Sequence, residues 1–535
     1  MRGFLVFFFI FIYSFSFSLQ NDSLFNSKFP LSPPFLTNND SFWVDSILSK
    51  MSIEEKIAQS FFVRANSHSS DENEEYFKKV DDLIIKNKIG GLIFFKSNPH
   101  NVVDLVNRYQ SISKIPLINS IDGEWGVSMR IDSTPFFPWA MTLGSLQDNR
   151  IIYKMGMEIA NQCKLLGIHM NFSPVVDVNN NPENPIIGRR SFGEDPSSVS
   201  QKSLAYMKGL QKNGILACAK HFPGHGDTNI DSHNKMPILF HSKSRLDSIE
   251  LYPFNDMIYN GISSIMIGHI SLPKIDSTKL PATLSSFMVK ELLQKKLDFD
   301  GLVVTDALNM GGVKMDYKKG EVELNAYLAG NDILLYPENV SEGIELIKKS
   351  YLNGLISEHD INSRCKKILL AKKWIGLNES SNIFPTKDSL IEKLNNSNAN
   401  LINKEIAESS LVVLKNNNLI PLNDLSKKKV AYIHLGNDKG KYLYESLDRY
   451  FPTKYFSYYK NEKEILSSLN DYDIVICGVH FKSSSPFNNH NLSKSEKLFL
   501  KKISKHKNSI LTIFSSPYIL NTLQIDNFSS IILSH

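Results

Sequence analysis

The segment Lys220–His233, KHFPGHGDTNIDSH, concentrates groups that move protons and bind polar ligands. Three histidines, one lysine and two aspartates fall within fourteen residues. Pro223, Gly224 and Gly226 argue against a helix there and against a strand. The spacing therefore predicts an irregular loop, entered from the apolar run Ile-Leu-Ala-Cys-Ala at 215–219. Metal binding is the first chemistry such a cluster suggests. His221 and His225 are separated by Pro-Gly and share no helix face, and no HExxH or cysteine set accompanies them, so neither metal nor cofactor is expected. Acid–base chemistry fits better. Asp231-Ser232-His233 places a carboxylate two residues from an imidazole. The carboxylate can accept from one ring nitrogen and leave the other to carry a catalytic proton. Asp306, in VVTDAL, ends another apolar run and offers a carboxylate nucleophile. Acid on one side and nucleophile on the other is the layout that retaining cleavage of a glycosidic bond requires.

Positioning these groups requires a scaffold, and the sequence contains one. Short apolar runs occur at 60–65, 91–95, 116–121, 169–176, 215–219, 264–267, 301–304 and 332–336, with longer amphipathic stretches between them. Eight strand-like runs alternating with helices predict parallel βα units and a (β/α)8 barrel. A doubly wound open sheet is the alternative, weakened because no GxGxxG follows an early strand. Polar residues follow five of the runs: Asp122 and Glu124 the third, Asp177 and Arg189-Arg190 the fourth, Lys220-His221 the fifth, His269 the sixth and Asp306 the seventh. In a barrel those carboxyl ends form one face, where catalytic groups gather. Loops are polar in any case, but that explains one or two such ends better than five. Asp122, Arg130, Arg190, Lys220 and His221 are the expected sugar-binding residues, with internal salt bridges across the barrel mouth as the alternative for any one of them. Arg189 is expected only to support Arg190, and His225, inside the Pro-Gly-His-Gly bend, to be structural.

The expected division is a signal peptide at 1–20, a linker at 21–40, the barrel at 41–375, a linker at 376–400 and a smaller α/β sandwich domain at 401–535. That last domain reads as incomplete, because the chain stops directly after a strand-like run. A first helix is expected from near Asp45 past Glu54-Glu55-Lys56. GNDKGK at 436–441 lacks the spacing of a phosphate-binding P-loop.

A net charge of +5 over 535 residues, with scattered lysines, excludes a nucleic-acid binder of the usual basic kind. Arg2, the apolar run 4–13 and the Ser-rich residues after it read as an export signal, which places the mature protein in the periplasm or outside the cell. No stable membrane insertion is expected after cleavage, although an uncleaved anchor is the alternative. The four cysteines lie far apart and form no disulfide framework.

The loop KHFPGHGDTNIDSH, IDGEWGVSMR at 121–130, IIGRRSFGEDP at 186–196 and VVTDALNM at 303–310 together resemble glycoside hydrolase family 3. Within it they resemble the bacterial β-N-acetylglucosaminidases that act on peptidoglycan fragments. The resemblance covers about 40 to 535. It implies Asp306 as nucleophile, His233 as general acid/base with Asp231 as its partner, and Asp122, Arg130, Arg190, Lys220 and His221 as sugar-binding residues. It also implies a carbohydrate partner, and a second domain of α/β sandwich type. The family's β-glucosidases lack the Asp-Ser-His tail. A β-glucosidase or β-xylosidase and an inactive sugar-binding protein are the competing expectations. Trp125 stands where the family pattern has a glycine, either stacking on a sugar or aglycone face or packing under the loop. An uncharged imidazole as acid/base also leaves room for an anionic acceptor such as phosphate.

Overall fold

The computed structural model describes residues 27, 29–37, 41–65, 73–232, 235–313, 317–379, 384–437, 440–459, 462–481 and 491–534. The expected signal peptide and His233 lie outside the described residues. The chain divides into two compact units between Glu405 and Ile406.

The first unit is built on eight strands: β1 Phe61–Ala65, β2 Gly91–Phe94, β3 Ile118–Ile121, β4 Met170–Asn171, β5 Leu216–Phe222, β6 Ser264–Ile267, β7 Leu302–Thr305 and β8 Leu334–Leu335. Each is parallel to its sequence neighbour through β7, and β8 returns to pair with β1. A bridge between Val304 and Ile333, with Thr305 N donating to Ile333 O at 3.0 Å, closes the ring between β7 and β8. This is the (β/α)8 barrel that the eight runs predict. Strands covered on both faces are largely apolar, and alternate residues fill the interior. Leu216 with Cys218, and Leu302 with Val304, pack there with Phe62, Ile93, Ile118 and Met170. Between the strands run helices with legible starts. Asn98 and Asp195 cap Pro99–Ile112 and Pro196–Lys212, each with proline in the first turn.

Three local expectations change. The helix expected across 45–56 is two helices, Phe42–Leu48 and Ile53–Ala58, because Ser52 and Glu55 form a reciprocal capping box that starts a new one. The residues expected as a linker at 21–40 include Phe35, buried in the barrel core. Those at 376–400 include the helix Leu390–Leu394, with Leu377, Leu390 and Leu394 buried and Lys387 paired to Asp104 at 2.5 Å. Their Asn and Ser content marks an outer face, not a free tether.

The second unit is a six-stranded sheet of β9 Val412–Asn416, β10 Val430–Gly436, β11 Thr453–Ser457, β12 Ile474–His480, β13 Ser509–Phe514 and β14 Ser530–Ser534. Their order is β11-β10-β12-β13-β14-β9, parallel except for β9 against β14. Alternation along β10 and β12 builds a core on each face: Ile433 and Cys477 on one, Tyr432 and Ile476 on the other. All four cysteines are buried free thiols. No helix among the described residues is long and apolar enough to cross a membrane.

Candidate active site

The carboxyl ends of β3, β4 and β5 bring five expected residues together. Asp122 follows β3 directly. Its Oδ1 accepts from Lys220 Nζ at 2.8 Å and its Oδ2 from Arg130 Nη2 at 3.0 Å. Glu124 pairs with Arg190 through two hydrogen bonds, Nε to Oε2 at 2.8 Å and Nη2 to Oε1 at 2.7 Å, and lies 2.8 Å from Lys220 Nζ. Arg190 Nη2 lies 3.4 Å from His221 Nε2. Asp177 orients His221, with 2.7 Å between its Oδ2 and the ring Nδ1, and its Oδ1 also accepts from His225 N at 2.7 Å. Glu124 and Asp177 were visible at strand ends but carried no expected role. Glu124 holds Arg190 and Lys220, and Asp177 holds the His221 imidazole.

One expectation about Lys220–His233 is corrected. Its first three residues, Lys220, His221 and Phe222, belong to β5, and the loop starts only at Pro223. Proline lacks the ladder N–H and stops the strand at that point. Lys220 and His221 are thus fixed by strand geometry. Lys220 is 2% exposed and His221 5%.

Buried charges persist only when paired. Burial alone would raise the Asp122 carboxyl, but Lys220 and Arg130 outweigh it and hold it well below the usual range. Burial likewise opposes ionisation of Glu124, yet Arg190 and Lys220 pull it from 4.5 down to about 2. Burial disfavours the charges of Lys220 and Arg190 too, and the same carboxylates more than restore them. His225 behaves differently, because burial and the neighbouring His221 push it from 6.5 down to about 4.

These directions set the acid response. A carboxylate with a lowered folded pKa contributes stability that is complete above its unfolded value and lost as pH falls through the folded one. For Glu124 that window runs from 4.5 down to about 2. A buried neutral histidine costs stability once the unfolded chain protonates, between 6.5 and about 4 for His225. The thermal midpoint is therefore expected to fall steadily with acidification through both windows, and Glu124→Gln to flatten only the lower one. Melting curves across pH 2 to 7 check this, and an unchanged lower slope in the variant contradicts it.

The remainder of the β5 loop is folded onto its neighbours. A Cβ at Gly226 would meet Val178 O at 1.8 Å, so the backbone passes there only as glycine. His225 Nδ1 and Thr228 Oγ1 lie 2.7 Å apart, and His225 Nε2 and Ser232 Oγ 3.0 Å apart, so the bend is laced to the loop's tail. That tail reaches the loop after β7, where Gly312 N donates to Ser232 O at 3.0 Å. Gly312 is also required, since a Cβ there would stand 2.7 Å from Ser232 O.

Asp306 sits at the end of β7, half-buried. Its backbone N donates to Ile267 O at 2.9 Å, and its Oδ1 accepts from Ala307 N at 2.8 Å. His269 Nε2 lies 3.0 Å from Ala307 O, steadying the same turn. The backbone O of Asp231 accepts from Lys235 N at 3.1 Å. No group of three or more His, Cys, Asp or Glu suited to a metal ion occurs among the described residues.

A closed (β/α)8 barrel with carboxylates, cations and imidazoles at the carboxyl ends of its strands has the architecture of an enzyme active site. Residues 52–371 match the glycosyl hydrolase family 3 N terminal domain, and with more than half its length matched the chain belongs to that family. It is 32% identical over 377 residues to beta-hexosaminidase A of Pseudoalteromonas piscicida, covering 65% of this chain and 62% of that one, under two thirds of the relative's length. It is 26% identical over 392 residues to a beta-N-acetylglucosaminidase/beta-glucosidase of Cellulomonas fimi, covering 71% of this chain and 68% of that one. The solved glycoside hydrolase family 3 beta-N-acetylglucosaminidase from Paenibacillus sp. str. FPU-7 superposes with a TM-score of 0.71 at 25% identity, over 90% of this chain and 93% of that one.

Proposed function

We propose that this protein is a retaining exo-β-N-acetylglucosaminidase that removes terminal β-linked N-acetylglucosamine from peptidoglycan fragments. The observation that most supports it is the Gly312–Ser232 hydrogen bond, which ties the Asp231-Ser232 tail to the same post-β7 loop that Asp306 begins. The Asp122, Arg130, Arg190, Lys220 and His221 cluster supplies an acceptor and several donors for sugar hydroxyls and the N-acetyl oxygen. Asp306 attacks the anomeric carbon while His233, with Asp231 as its partner, protonates the leaving oxygen. Water deprotonated by His233 then releases the sugar from Asp306. The export signal at 1–20 puts the reaction in the periplasm or outside the cell.

The Cellulomonas fimi relative is named for both N-acetylglucosaminide and glucoside cleavage, so the discriminating experiment is a panel of aryl β-glycosides. The N-acetylglucosaminide is expected to have the highest kcat/KM. A higher value for the glucoside or xyloside, or no turnover at all, contradicts the proposal.

A further inference from the structure

Ser232 stands between Asp231 and His233 in the chain, so whatever fixes it bears on both. It is 2% exposed and is held at two points. Its backbone O accepts from Gly312 N at 3.0 Å, in the loop that Asp306 begins. Its hydroxyl lies 3.0 Å from His225 Nε2. His225 is itself anchored at three points. Its backbone N donates to Asp177 Oδ1 at 2.7 Å, its O accepts from Asn184 Nδ2 at 2.8 Å, and its Nδ1 lies 2.7 Å from Thr228 Oγ1. The other oxygen of Asp177 lies 2.7 Å from His221 Nδ1. One buried carboxylate thus carries both an imidazole of the sugar-binding cluster and the residue that grips Ser232.

His225 is 1% exposed, and burial together with the nearby His221 pushes it down to about 4, which keeps its ring neutral. A neutral imidazole offers one donor and one acceptor in fixed directions. An apolar side chain would fill the same space, but it could not direct the Ser232 hydroxyl. Fully satisfied buried networks specify a single arrangement. Acid catalysis needs one, because the proton donor must lie within hydrogen-bond reach of the leaving oxygen, and a displacement of about 1 Å costs about 10²-fold. We propose that His225 is a positioning residue, which through the Ser232 hydroxyl holds the Asp231–His233 pair for proton transfer. This rests on the glycosidase reading above and adds the group that aims its acid/base.

The test removes the contact from either end and varies the need for the acid. A 2,4-dinitrophenyl leaving group departs without protonation, whereas a phenyl group needs it. In Ser232→Ala, kcat/KM is expected to fall by about tenfold or more for phenyl β-N-acetylglucosaminide and by about twofold at most for the dinitrophenyl compound. For the latter, kcat and KM are expected to fall together, because release of the sugar from Asp306 still needs the base. His225→Leu is expected to show the same split between substrates and His225→Gln, which keeps an amide near the Nε2 position, a smaller one. Adding Ser232→Ala to His225→Leu is expected to widen the split no further, since both remove one contact. Equal losses on the two substrates make His225 and Ser232 structural residues and overturn the proposal. An undiminished rate on the phenyl compound, or additive losses in the double variant, overturns it too. If the wild type cleaves both compounds and the variants keep its ratio, this inference alone fails, whereas no cleavage of either by the wild type removes the glycosidase reading with it.

Discussion

Asp306→Asn is expected to lower kcat/KM by on the order of 10³-fold or more while leaving the thermal midpoint close to that of the wild type. The activity loss follows from chemistry. An amide cannot form the glycosyl ester that a retaining mechanism passes through. The modest stability effect follows from structure. Asp306 is half-buried, Asn preserves its shape, and the hydrogen bond from Ala307 N at 2.8 Å can be kept by the amide oxygen. Steady-state kinetics and a melting curve on the same preparation check both halves. Undiminished turnover would show that another group attacks the sugar.

Lys220→Met is expected to damage both activity and stability. Lys220 is 2% exposed and lies 2.8 Å from both Asp122 and Glu124. Without it, two carboxylates are left close together. Arg130 and Arg190 still face them, so the expected loss is about 3 kcal/mol, the low end for a broken buried pair. A loss of ~10²-fold or more in kcat/KM is expected with it, since a donor to the sugar disappears and the cluster rearranges. Urea denaturation measures the first and kinetics the second. Adding Glu124→Gln should recover part of the stability by removing the stranded charge, and none of the activity. A double variant less stable than Lys220→Met would contradict the electrostatic account.

The barrel was legible because parallel strands buried on both faces leave apolar runs of the right number and spacing. Their lengths were less legible. The run at 169–176 forms a regular strand only at Met170–Asn171, with one further bridge from Val175 to Lys220, whereas β5 runs to Phe222 with a register shift against β6 after Ala219. Asp122, Lys220 and His221 stand out as polar residues at strand ends, and Arg130 and Arg190 through the motifs IDGEWGVSMR and IIGRRSFGEDP. Their grouping could not be read from spacing, because the contacts that make it are long-range. Lys220 and Asp122 are 98 residues apart, and Arg190 and Glu124 are 66 apart. Glu124 and Asp177 lacked a role for the same reason. Arg190 is the one of the two neighbouring arginines expected in the site, and the turn that separates their side chains pairs it with Glu124 while Arg189 lies against the Trp139 ring.

In the proposed mechanism Asp306 becomes covalently glycosylated. Its most direct test is to treat the enzyme with 5-fluoro-N-acetyl-β-glucosaminyl fluoride, digest it and locate any added sugar by mass spectrometry. The added mass is expected on the peptide containing Asp306, and none on the same peptide from Asp306→Asn. An adduct on a different carboxylate, or inactivation with no adduct at all, would contradict it.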